Sequence, residues 1–403
     1  MISYSGNTLS LAPWILLPVA CMLAALAGSK ADEPATEPAA TLGQTSFDFA
    51  VFSPGGQTVL TNCDSSVNDS LATRKALLWD VKTGLLVRTF VGGEGDVFAG
   101  AFSPDGNQIV TGGGTGRGGL PGPRNAELHL WDVAGGREIR QFHGHKRTVT
   151  SISFSADGKR ILSVGDLARL WDAQSGRQLF VWPKEGGGLV HSAELSNDGR
   201  SVLTNESEYL TVWDTSSGKQ SANIPRPSRF GSFSAAHFSS DANLVATACD
   251  DKTARTWDAG TGRQVQVFEG HTSFVHQARF SADGKWLATG AYDKTVRIWD
   301  VATARQIHLF SLPEGEHPDV RFSPDSSRLV GIWGRRSGDS PYLSGISLWD
   351  AQSGEELRRI STKKRSMVPG HAVFSPDGKT ILVHLERTEL LDCETGKTIR
   401  QYN

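Results

Sequence analysis

Short strand-like runs, each closed by turn residues, set the pattern of this chain, and the stretch from Gly270 to Asp300 (GHTSFVHQARFSADGKWLATGAYDKTVRIWD) shows it most fully. A strand runs to Phe280 and turns at Ala282-Asp283-Gly284. A second apolar run, Trp286 to Thr289, reaches a tight turn at Tyr292-Asp293-Lys294, and a third, Thr295 to Ile298, ends in Trp299-Asp300. β-rich runs separated by Asp-Gly and similar turn residues predict an antiparallel meander. One meander of this size cannot cover both of its faces, so the pattern must return. It returns eight times.

A Trp-Asp pair closes most units: Trp79-Asp80, Trp131-Asp132, Trp171-Asp172, Trp213-Asp214, Trp257-Asp258, Trp299-Asp300 and Trp349-Asp350, with Leu391-Asp392 as a weakened eighth. Successive copies lie 52, 40, 42, 44, 42, 50 and 42 residues apart. A second marker precedes each: Phe52-Ser53, Phe102-Ser103, Phe154-Ser155, Leu195-Ser196, Phe238-Ser239, Phe280-Ser281, Phe322-Ser323 and Phe374-Ser375, mostly followed by an Asp-Gly turn.

Two markers in register over most of the chain resemble the WD-repeat family, in a bacterial-type exported form. The resemblance implies an all-β fold, a β-propeller of eight blades, with seven as the alternative. It also implies a hydrogen-bonded network of a Gly-His histidine, a second-strand Ser or Thr, a turn Asp and the Trp. Only the sixth unit is expected to hold all four, as His271, Thr289, Asp293 and Trp299. The fifth keeps Thr247, Asp251 and Trp257 without a Gly-His, and the third has His145, Ser163 and Trp171 across a shortened turn.

Composition changes this picture little. A formal net charge of −2 supplies no basic field for nucleic acid, and 44 glycines with 11 tryptophans suit many turns and one large anchor per blade.

Three segments are expected. Residues 1–31 contain an uncharged run from Leu9 to Ala27 followed by small-residue sites, which reads as a secretory signal sequence or an N-terminal membrane anchor through residues 9–27. Either exports the rest to a periplasmic, cell-surface or secreted location. Residues 32–45, acidic and rich in Pro and Ala, read as a disordered linker. Residues 46–403 form the propeller, each blade continuous in sequence, with Thr398 to Tyr402 as the last outer strand.

Loop lengths locate the candidate site. From the second-strand position matching Thr289 to the Trp position the distance is 10 residues in the fifth and sixth units, 18 in the first, 20 in the second and 18 in the seventh. It falls to 8, 9 and 8 in the third, fourth and eighth. These hairpins all leave from one rim, so a ring closed between the eighth and first units raises a wall there. It carries Arg74, Lys75, Arg117, Arg124, Trp333, Arg335, Arg336, Asp339 and Tyr342. Arginine with exposed aromatics is the composition enriched at protein interfaces; the plain alternative is drift of solvated loop tips.

Other motifs fail on context. Gly114, Gly116 and Gly119 match a dinucleotide fingerprint, but a strand and not a helix follows. Gly378-Lys379-Thr380 and Gly396-Lys397-Thr398 are hairpin turns. Cys63, Cys249 and Cys393 are expected as free thiols, and His237 and His276 as packing residues of inner strands. With no acid, base, nucleophile or metal set converging in the sequence, the expected function is a non-catalytic scaffold that binds a protein or peptide, without cofactor or metal. The alternative is an enzyme or small-ligand binder using the central channel.

Overall fold

The computed structural model describes residues 49–62, 75–93, 95–114, 126–183, 189–206, 209–227, 232–313, 319–334, 344–362, 371–384 and 388–402. These build eight four-stranded antiparallel sheets, each with its strands in sequence order from first to last. The inner strands are Ala50–Phe52, Asp96–Phe102, Ser151–Phe154, Val190–Leu195, Phe233–Phe238, Val275–Phe280, Asp319–Phe322 and His371–Phe374. Blades are numbered from the first of these.

Eight clusters of buried side chains lie one at each boundary between neighbouring blades. The marker Trp of blades 1 to 7, and Leu391 in its place in blade 8, faces the blade before it, as Trp299 does with Ala246 and Phe268 of blade 5. The eighth boundary closes the ring. Leu382, Leu390 and Tyr402 of blade 8 pack with Phe52, Trp79 and Val81 of blade 1, and the Tyr402 hydroxyl donates to the Val81 carbonyl. Blade 8 has four strands of its own, the outermost Thr398–Tyr402, so closure is made by packing and not by a borrowed strand.

The two sequence markers have separate structural jobs. Each marker Ser accepts the backbone N–H five residues on, as Ser281 Oγ does from Trp286 at 2.9 Å, which closes the first hairpin; the bond recurs in all eight blades. The residue three after that Ser turns through positive φ. It is glycine in blades 1, 2, 3, 4, 6 and 8 but Ala242 (φ 61°) in blade 5 and Ser326 (φ 63°) in blade 7. Each marker Asp closes the hairpin between third and outer strands; Asp300 Oδ1 accepts from the Thr303 N–H at 2.8 Å and its hydroxyl at 2.6 Å. The residue that follows is again left-handed, and in blade 6 it is Ala304 (φ 56°) where the other blades have glycine.

The blade 6 network forms as expected. His271 Nδ1 lies 2.9 Å from Asp293 Oδ2, and its Nε2 lies 2.7 Å from Thr289 Oγ1, which also accepts the Trp299 indole N–H at 2.8 Å. A carboxylate only accepts, so Nδ1 carries the proton and Nε2 takes the threonine hydroxyl. Blade 6 is not alone, however. In blade 3, His145 meets Ser163 at 2.7 Å and Asp166 at 2.9 Å, and Trp171 donates to Ser163 at 2.8 Å. The shortened turn moves the aspartate without removing it: Asp166 stands three residues before its partner Arg169, whereas Asp293 stands four before Arg297. In blade 5, with no histidine in the network, Asp251 pairs with Arg255 at 2.8 Å.

Candidate functional site

Two places can present chemistry: the rim carrying the second-to-third-strand hairpins, and the channel lined by the inner strands.

At the rim, the long hairpins leave between Asn62 and Lys75, Gly114 and Ala126, and Gly334 and Ser344, the ends of paired strands in blades 1, 2 and 7. Blades 7, 8, 1 and 2 are consecutive around the ring, so the three insertions bracket one sector. Arg74, Arg117, Arg124, Arg335, Arg336, Asp339 and Tyr342 fall outside the described residues. Lys75 begins the third strand of blade 1 and is half-buried. Trp333 corrects the expectation of an exposed rim aromatic. It is fully buried with Val296, Phe310 and Trp349 at the boundary of blades 6 and 7. The strand continues past the point where the loop was expected, and its side chain turns into the core. The same rim exposes apolar side chains elsewhere: Leu189 (43 %) and Tyr209 (43 %) at blade 4 and Phe274 (49 %) at blade 6, with Phe274 edge-on to Tyr292.

The channel holds what sequence reasoning missed. Each inner strand ends on the marker Phe or Leu, and the residue before it occupies one register position in all eight blades: Val51, Ala101, Ser153, Glu194, His237, Arg279, Arg321 and Val373. Blades 8, 1, 2 and 3 place small or apolar residues there. Blades 4 to 7 place an arc of ionisable ones. A cavity of about 430 Å³ opens against this arc, lined by Ser153, Glu194, Asn205, His237 and Arg279 among others of blades 3 to 6.

His237 is therefore not a packing residue: its Nδ1 donates to Glu194 Oε2 of the preceding blade at 2.6 Å. His276, at the register shift between Val275 and Gln277 of the blade 6 inner strand, sets its ring against Tyr292 at 5.7 Å. Arg321 donates twice to Asp319 Oδ2, at 3.1 and 3.0 Å. The signal that would have found the arc is the residue before each marker Phe, read down the eight repeats. Of the cysteines, Cys249 and Cys393 are buried free thiols, both pushed up, to about 11 and about 12, chiefly by burial; Cys63 lies outside the described residues. Among the described residues, no three His, Cys, Asp or Glu side chains are placed to hold a metal ion, and no helix is long and apolar enough to cross a membrane.

Comparison with known proteins agrees with this geometry. Residues 84–119, 136–172, 230–258 and 262–300 match the family described as WD domain, G-beta repeat. The guanine nucleotide-binding protein subunit beta of Arabidopsis thaliana is 30% identical over 214 residues, 51% of this chain and 56% of that protein. The SIR4-interacting protein SIF2 of Saccharomyces cerevisiae is 26% identical over 194 residues, 44% of this chain and 34% of that protein. The chain thus spans about half the length, or less, of these curated relatives. Both are eukaryotic and lend no support to the bacterial-type, exported membership expected from the N-terminal segment. Among solved structures, the C-terminal WD40 domain of Sif2 superposes with a TM-score of 0.64 at 18% identity, covering 86% of this chain and 97% of that one. A computationally designed protein, Ika8, gives 0.63 at 20% identity, covering 90% and 98%; at such identities the likeness concerns the fold alone. Four stretches of the chain thus match the WD domain, G-beta repeat family, and the described residues form eight like sheets closed into an eight-bladed propeller.

Proposed function

We propose that this propeller is a non-catalytic scaffold that binds a protein or peptide on the rim of the second-to-third-strand hairpins. The observation that carries the reading is the placement of the three longest hairpins on the sector of blades 7, 8, 1 and 2, all leaving from the same rim. Leu189, Tyr209 and Phe274 continue that rim with exposed apolar surface. Stacked blades hold such positions fixed, so little ordering entropy is lost on binding. The relatives' names, a subunit and an interacting protein, are those of proteins that work in assemblies. The test is recovery of crosslinked partners by the full chain and by a variant with the three hairpins trimmed to the length found in blade 6. Loss on trimming supports the reading, and unchanged recovery rejects it. Export by residues 1–31 is part of the same proposal, supported by the uncharged run from Leu9 to Ala27. Fractionation with amino-terminal sequencing tests it, and a cytoplasmic, uncleaved product counts against it.

A further inference from the structure

The channel arc is unevenly satisfied. His237 occupies Glu194, and Asp319 occupies Arg321. Arg279, between them on blade 6, has no hydrogen bond or ion pair with any described residue, and its Nε is buried without a partner. Two residues earlier on the same strands, and so on the same faces, Gln277 Oε1 and Asp319 Oδ1 are buried acceptors that also lack a donor. Burial holds the Arg279 pKa below its ordinary value, with Asp319 opposing, Arg321 adding to the shift and Glu194 opposing. A guanidinium half-withdrawn from water with no acceptor is costly, and a ligand that supplies one removes that cost.

We infer that Arg279 is the anchor of a carboxylate-binding site in the central channel, and that the carboxylate belongs to a group carrying an N–H donor beside it, as an acidic residue of a peptide does. The guanidinium fork fits a carboxylate through two parallel hydrogen bonds. One spare positive charge matches one negative charge. A doubly charged phosphate would meet Glu194 and Asp319 as well, so the arc selects against it. The N–H donor has Gln277 Oε1 and Asp319 Oδ1 to bond. The scaffold reading bears here only on the source of the carboxylate, since free small carboxylates share its chemistry.

The experiment is calorimetric titration of the full chain, at fixed ionic strength, with glutaramate (one carboxylate and one amide), glutaramide, inorganic phosphate, and two end-blocked peptides that differ by one internal glutamate or glutamine. Glutaramate and the glutamate peptide are expected to bind, with glutaramide, phosphate and the glutamine peptide far weaker. Arg279→Gln should weaken the carboxylates about ten- to hundredfold, and Arg279→Lys should recover part of the loss. A glutamate peptide tighter than glutaramate identifies a protein segment as the source; equal affinities identify a free small molecule. Binding that ignores the charge of the probe, phosphate tighter than carboxylate, or an Arg279→Gln variant that binds as the parent does would overturn the site. So would an Arg279→Gln variant that melts well below the parent, because Arg279 would then be structural. The hairpin-trimmed variant should still bind glutaramate, which separates this site from the rim.

Discussion

Blades 6 and 8 reach the same sheet by different chemistry. In blade 6, Thr289 sits opposite Arg297, and the third and outer strands slip register between Ile298 and Trp299. In blade 8, Val383 sits opposite Glu389, and the slip falls between Leu390 and Leu391. The positions match one for one, but the buried relay of His271, Thr289 and Trp299 in blade 6 is replaced by Val383 and Leu391, packed with Ile332, Ile346 and Leu348 of blade 7. Blade 7 is intermediate: Gly331 leaves room for the Trp349 ring, which lies 2.8 Å from where a Cβ would be. Strand pairing, turn residues and boundary packing therefore specify a blade. The polar relay serves a narrower purpose, giving a buried indole N–H and imidazole their partners.

The strongest way to break this comparison is to remove the shared element. Trp299→Ala should cost about 3 to 5 kcal/mol in chemical denaturation, because its ring fills the boundary with blade 5; a loss below about 1 kcal/mol would mean that the boundaries do not carry the stability. Next comes the relay alone. Thr289→Val leaves the Trp299 N–H and the His271 Nε2 unpaired and should cost about 2 to 3 kcal/mol, although the same residue at position 383 of blade 8 is at home. A neutral Thr289→Val would show that the relay is ornamental.

The blade 3 relay gives a pH test. Burial holds the His145 pKa below its ordinary value; the Asp166 hydrogen bond opposes this, and the Arg169 charge reinforces it. The unfolded chain takes up a proton near pH 6.5 that folded His145 refuses. Stability should therefore fall as pH drops below about 6.5, at no more than about 1.4 kcal/mol per unit from this group. Burial alone would raise Asp166 and Asp293, but hydrogen bonds from His145 and Arg169 in one case, and from His271, Thr295 and Thr272 in the other, hold both carboxyls far below the ordinary range. A further loss then follows below about pH 4, where the unfolded carboxylates protonate first. Denaturant midpoints across this range, with His145→Gln as the control, check it: the variant should lose the upper part of the slope and keep the lower. The smallest effect expected is a gain. Ala242→Gly, Ala304→Gly and Ser326→Gly each relieve a left-handed residue, for about 1 kcal/mol or less apiece.

What could be read in the chain was what repeats. The Trp-Asp and Phe-Ser markers recur because every blade needs the same two turns and the same boundary anchor, so blade number, strand order and the blade 6 relay were legible. Asp166 escaped because a shorter turn displaced it from its expected spacing. Trp333 misled because a tryptophan beside an insertion gives no sign of whether the strand runs on beneath it. The arc from Glu194 to Arg321 escaped for a deeper reason: the residue before each marker Phe varies from blade to blade, so reading it needs the eight repeats aligned on that Phe, and only the paired strands show that four successive blades bring ionisable groups to one height in the channel.

The seam between blades 8 and 1 has its own mechanical consequence. At the other seven junctions the chain itself passes from one blade to the next, whereas here, among the described residues, blade 8 is joined to blade 1 by packing, with Tyr402 and its apolar neighbours against Phe52, Trp79 and Val81. Under load or denaturant, the circle should part at this latch first and relax into a crescent whose remaining joints hold.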